Sequence, residues 1–101
     1  TYIDNVIEAN LKACLAPKEA CGMSYNIAYG ESFTINQMYR VMCEHLQIHI
    51  EPKYVESRLG DIRHSLASIS KARHFLSYSP IWNFRDEFLE TINWYKANLQ
   101  R

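Results

Sequence analysis

Ser24-Tyr25-Asn26-Ile27-Ala28-Tyr29-Gly30 is a short, mainly apolar run closed by a glycine. A run of this length bounded by turn residues reads as a buried strand. Before it lies a helix pattern. Asp4 is placed to cap that helix, and Ile7, Leu11, Cys14 and Leu15 recur at helical spacing, with Ile3 just ahead of the cap. Ala16-Pro17 and Gly22 end it. After the run comes a second helix pattern with a clear start. Thr34 and Gln37 have the spacing of a capping box, Phe33 and Met38 that of a hydrophobic staple, and Ile35, Met38, Met42 and Leu46 form the expected buried stripe.

Residues 48–55 hold Pro52 between apolar pairs and read as an edge strand or extended segment. Residues 58–63 form a turn around Gly60. Ser68 is the expected cap of a third helix with Ile69, Ala72, Phe75 and Leu76 inside. Ser79-Pro80 marks a loop, and Asn83 caps a fourth helix lined by Phe84, Phe88, Ile92 and Tyr95. The order predicts an α/β chain that is mainly helical with few strands. One or two strands rarely make a stable sheet by themselves. Thr1-Tyr2-Ile3 reads as the end of a strand that begins upstream, so the pattern hints at truncation on the N-terminal side.

The 101 residues suit a single domain, 1–101, with a modest core. Lys and Arg number 11 and Asp and Glu 11, so the formal net charge is zero. Nucleic-acid affinity rests largely on phosphate neutralisation, which argues against that partner. No apolar run is long enough to span a bilayer, and no secretory signal pattern opens the sequence. Cys14, Cys21 and Cys43 are odd in number and form no CxxC pair, so they read as free thiols of a reducing compartment, the cytoplasm. His45 and His49 near Cys43 lack a thiolate pair at zinc spacing, and no metal site is expected.

Five blocks, in order, resemble the extended short-chain dehydrogenase/reductases. Tyr2-Ile3-Asp4-Asn5-Val6-Ile7-Glu8-Ala9-Asn10 resembles Y-[IV]-D-[DN]-V-x-x-A-N, and Tyr25-Asn26-Ile27-Ala28 resembles YN[IV]G. Arg58-Leu59-Gly60-Asp61-Ile62-Arg63-His64-Ser65 resembles the R-x-G-D-[IV]-R-H-S stretch of UDP-N-acetylhexosamine 4-epimerases. Ile69-Ser70-Lys71-Ala72-Arg73 with Leu76-Ser77-Tyr78-Ser79-Pro80, and then residues 88–95, resemble the closing blocks. The resemblance implies the C-terminal substrate-binding lobe of a nucleotide-sugar epimerase without its N-terminal Rossmann domain. Residues 1–30 would be a remnant of the Rossmann sheet edge and residues 31–101 the substrate lobe.

The family holds NAD with G-x-x-G-x-x-G and draws its base from Y-x-x-x-K. Gly22, Gly30 and Gly60 do not make the first motif, and no Tyr is followed four places on by Lys. The chain is therefore expected to carry no cofactor and no catalytic residue, NAD belonging to the parent enzyme, and to be inactive alone. The substrate-binding candidates are Arg58, Asp61 and Ser65. The resemblance puts Arg58 on the UDP phosphates, which the guanidinium fork suits. Asp61 lies by the nucleotide, where it can accept from ribose hydroxyls, or else simply shapes the turn. Ser65, being small, leaves room for an N-acetyl group and points to UDP-GlcNAc; alternatively it only leads into the next helix.

Tyr25, Tyr29, Trp82, Trp94 and Tyr95 read as packing residues. Two family departures stand out: Ser68 replaces an Asp cap, and Ser77 stands where Gly often ends the helix. Three functions compete. The first is an epimerase fragment that keeps part of a UDP-sugar surface. The second is a non-enzymatic module that self-associates into a homo-oligomer through surfaces the Rossmann part would cover. The third is a fragment of a dehydratase or decarboxylase of the same superfamily.

Overall fold

The computed structural model describes residues 1–99. Among them are four α-helices: α1 (Ile3–Cys14), α2 (Ile35–Leu46), α3 (Ser70–Leu76) and α4 (Phe84–Asn98), with one 3-10 turn at Lys18–Ala20. No strand occurs among the described residues, so the expected α/β fold is corrected to an all-helical one. The reason lies in what the backbone of residues 24–28 bonds to. The carbonyl of Ala28 accepts from the Tyr78 hydroxyl at 3.0 Å and that of Ser24 from the Lys71 ammonium at 3.0 Å. Side chains, not a neighbouring strand, serve these groups, and a strand needs a ladder partner. Residues 48–55 differ in the same way, Ile50 lending its carbonyl to the Tyr39 hydroxyl.

The chain divides into two units. Residues 1–31 and 66–101 make the first, and Ser32–Ser65 the second. In the first, α3 packs against α1 and the 3-10 turn. Its core joins Ala9, Ala20, Ile69, Ala72, Leu76 and Tyr78, with Tyr25, Ile27 and Phe75 packed alongside. The expected inner face of α3 is thus observed. Gly30 touches this core. Its φ is +91°, and an added Cβ would lie 3.0 Å from Ile69 Cδ1, so both the backbone angle and the space call for glycine.

Caps explain most helix limits. In α2 the Thr34 hydroxyl accepts from the Gln37 N–H at 3.1 Å, while the Gln37 carbonyl oxygen accepts from the Thr34 N–H at 2.7 Å. This is the capping box the sequence announces. Asn83 caps α4 by accepting from the Asp86 N–H at 3.0 Å. Two caps fall elsewhere than expected. α1 starts after Tyr2, with Asp4 in its first turn facing the helix dipole. α3 starts after Ile69, and Ser68 donates to the Ser70 hydroxyl instead. At the other end of α3, Ser77 takes the left-handed conformation (φ 52°), and the Tyr78 N–H reaches back to the Ala72 carbonyl at 3.2 Å. The Ser77 N–H returns to the same Ala72 carbonyl, so the last turn of α3 closes wider than an ordinary helical turn.

The buried faces of α1 and α2 depart most from expectation. Asn5 and Ala9 are the buried residues of α1. Ile3, Ile7, Leu11 and Leu15 are exposed. In the second unit no residue is buried, and Ile35 of the α2 stripe lies open to solvent. Trp82, Trp94 and Tyr95, expected in packing, are exposed as well.

Candidate functional site

Arg58, Leu59, Gly60 and Asp61 form one turn, closed by the Asp61 N–H donating to the Arg58 carbonyl at 3.2 Å. Gly60 has φ +89°, the left-handed value that the third residue of such a turn takes when it is glycine. The turn brings Arg58 and Asp61 together at its two ends. Ser65 lies four residues beyond, and the intervening chain carries no helix. All three side chains are exposed. Among the described residues none forms an ion pair with Arg58. What joins Arg58 and Asp61 is thus the backbone of the turn, and both side chains face solvent.

Elsewhere in the second unit an open hollow of about 480 Å³ is lined by Tyr39, Arg40, Cys43, Glu44, Gln47, Ile48 and His49. None of the three candidates lines it. His49 and Glu51 meet at 2.9 Å at the surface. All three cysteines are free, and no cluster of metal-binding side chains occurs among the described residues. No helix of the described residues is long and apolar enough to cross a membrane.

The first unit contains a polar centre that the sequence reading did not single out. Asn5 is fully buried. Its Nδ2 donates to Glu87 Oε1 at 2.5 Å and to the Trp82 carbonyl at 3.1 Å. Its Oδ1 accepts from the Ile81 N–H at 3.1 Å and the Trp82 N–H at 3.3 Å. All four hydrogen-bonding positions of the amide are thereby used. Glu87 is 7% exposed, and burial pushes its carboxyl above the usual range, against the Thr1 ammonium and the Asn5 hydrogen bond. It also lines a hollow of about 150 Å³ with Tyr2, Phe84 and Phe88. The available signal is the [DN] position of the first motif, which by helical spacing lies opposite Ile7 and Leu11. The amide's role here is to hold the loop before α4 and α4 itself onto α1.

The chain is distantly similar to a nucleotide-sugar 4-epimerase. That relative is the UDP-glucuronate 4-epimerase of Thermodesulfobacterium geofontis (strain OPF15), 26% identical over 104 residues. The alignment takes in 99% of this chain but 30% of the relative, so the chain spans under a third of that protein's length. No family model matches the chain.

Proposed function

We propose that this chain is the nucleotide-sugar-binding, C-terminal stretch of an NAD-dependent UDP-hexose 4-epimerase, with UDP-GlcNAc as its sugar nucleotide and no catalytic group of its own. The observation that carries this reading is collinearity: the motif blocks keep family order, and the similarity to the 4-epimerase runs along 99% of the chain. In this reading Arg58 grips the diphosphate, Asp61 accepts from the ribose, and Ser65 leaves space beside the sugar. The exposed guanidinium at the start of the Gly60 turn supports the first role, because a fork with no carboxylate partner among the described residues is available to phosphate oxygens. NAD is assigned outside these residues, since Gly22, Gly30 and Gly60 stand in separate turns and make no pyrophosphate cradle.

Titration with UDP, UDP-GlcNAc and UDP-glucuronate, followed by amide NMR, tests the reading. Shifts centred on residues 58–65 are expected at millimolar ligand, and Arg58→Ala should weaken binding about tenfold, as loss of a charge-assisted hydrogen bond does. Tighter binding of UDP-glucuronate than of UDP-GlcNAc would overturn the sugar assignment. No response to any of the three at millimolar concentration would overturn the site.

A further inference from the structure

We infer that Tyr39 and Tyr54 are positioning residues, which moor the chain after α2 along that helix and so fix where Arg58 and its turn stand. The inference rests on the proposed function, in which Arg58 grips the diphosphate. α2 ends at Gln47, whose left-handed backbone (φ 53°) reverses the chain. Three contacts then follow in step. The Ile48 N–H donates to the Cys43 carbonyl at 3.1 Å. The Tyr39 hydroxyl donates to the Ile50 carbonyl. The Tyr54 hydroxyl donates to Asn36 Oδ1 at 3.4 Å. As residue numbers rise from 48 to 54, those of their partners on α2 fall from 43 to 36. The segment therefore runs back along the helix, toward the end that Thr34 and Gln37 cap.

Packing alone does not hold this segment, because among the described residues of the second unit none is buried. Hydrogen bonds must hold it, and two of these come from the tyrosine hydroxyls. Tyr39 is half-buried, and the Cys43 thiol, one helical turn on, shares a hydrogen bond with the same hydroxyl. Between the two tied points Pro52 fixes its own φ and stiffens the stretch. Four peptide steps separate Tyr54 from Arg58. A chain spans at most about 3.5 Å per residue, so holding Tyr54 keeps the Arg58 backbone within about 14 Å of it. Without that tie the last fixed point is Ile50, eight steps away, and the reach doubles. An arginine whose backbone is already placed loses less freedom on meeting a phosphate, and binds it more tightly for that reason.

Tyr39→Phe and Tyr54→Phe each remove one hydroxyl and keep the ring. Amide-nitrogen NMR relaxation of the whole chain, followed by titration with UDP, reads order and binding on one sample. In each variant the order parameters of residues 57–62 should drop toward the flexible range, below about 0.6, while the α2 amides keep their parent values. UDP affinity should fall about threefold to tenfold in Tyr39→Phe, the range that loss of one hydrogen bond gives. The fall should be smaller in Tyr54→Phe, whose bond is long at 3.4 Å. The Ile50 carbonyl carbon should shift in Tyr39→Phe and not in Tyr54→Phe, which marks the lost bond itself. A turn already flexible in the parent chain, or one that keeps its order in both variants, overturns the proposal. Unchanged UDP affinity in both variants overturns it as well. So does loosening of α2 together with the turn, which would make the hydroxyls supports of the fold and nothing more. A parent chain that ignores millimolar UDP instead overturns the diphosphate role of Arg58, and the order of residues 57–62 in the variants still decides whether the tyrosines place the turn.

Discussion

Glu87 shows how a single side chain can set the pH response of the fold. Its carboxyl is buried and tied to Asn5, and its folded-state pKa lies above the ordinary 4.5 because burial disfavours the charged form. A raised carboxyl contributes stability at pH values below its unfolded pKa and loses that contribution as pH rises through its folded pKa. The part of the stability that Glu87 governs should therefore decline on going from acid toward neutral pH. Glu87→Gln keeps an oxygen to accept from Asn5 while removing the ionisation. Thermal melts at several pH values should show that the variant has lost this decline and is at least as stable as the parent at neutral pH. A variant that melts lower than the parent at pH 7, with the slope intact, would mean that the carboxylate is favourable where it sits.

Among the elements, α3 offers the sharpest test. It is seven residues long, too short to persist without its packing, and it ends on a serine at φ 52°. Left-handed backbone costs a non-glycine residue about 1 kcal/mol, while glycine is somewhat more costly to order on folding. Ser77→Gly should raise stability by a few tenths to about 1 kcal/mol in denaturant titration. The same element shows what a sequence can disclose. The positive φ at Ser77 follows from its standing where a C-terminal glycine is usual. The limits of α2 and α4 follow from Thr34, Gln37 and Asn83, since a cap is a local affair of four residues. The strand expected at residues 24–29 was not legible, because an apolar run has the same composition whether its carbonyls meet a neighbouring strand or the side chains of Lys71 and Tyr78. The face of α1 was misjudged for a related reason. Periodicity reports which residues are apolar together, and it cannot report that Asn5 makes four hydrogen bonds to three residues some eighty positions away. The candidate site was legible only as far as the turn: Gly60 announces it, whereas what stands before Arg58 depends on contacts no local pattern encodes.

In the whole molecule the two stretches that make the first unit are far apart in sequence and bonded many times over. Asn5 joins Ile81, Trp82 and Glu87, Lys12 joins Ser77, and Tyr78 joins Ala28. Covalent continuity between them runs through residues 32–65, where no side chain is buried. The peptide bonds around Leu59, wholly exposed, are the natural place for a protease to enter. A single scission there would break the chain without breaking the associations that matter to that unit. The two pieces should travel together through a sizing column and part only in denaturant, so that the molecule would behave, once nicked, as a non-covalent pair of complementary fragments.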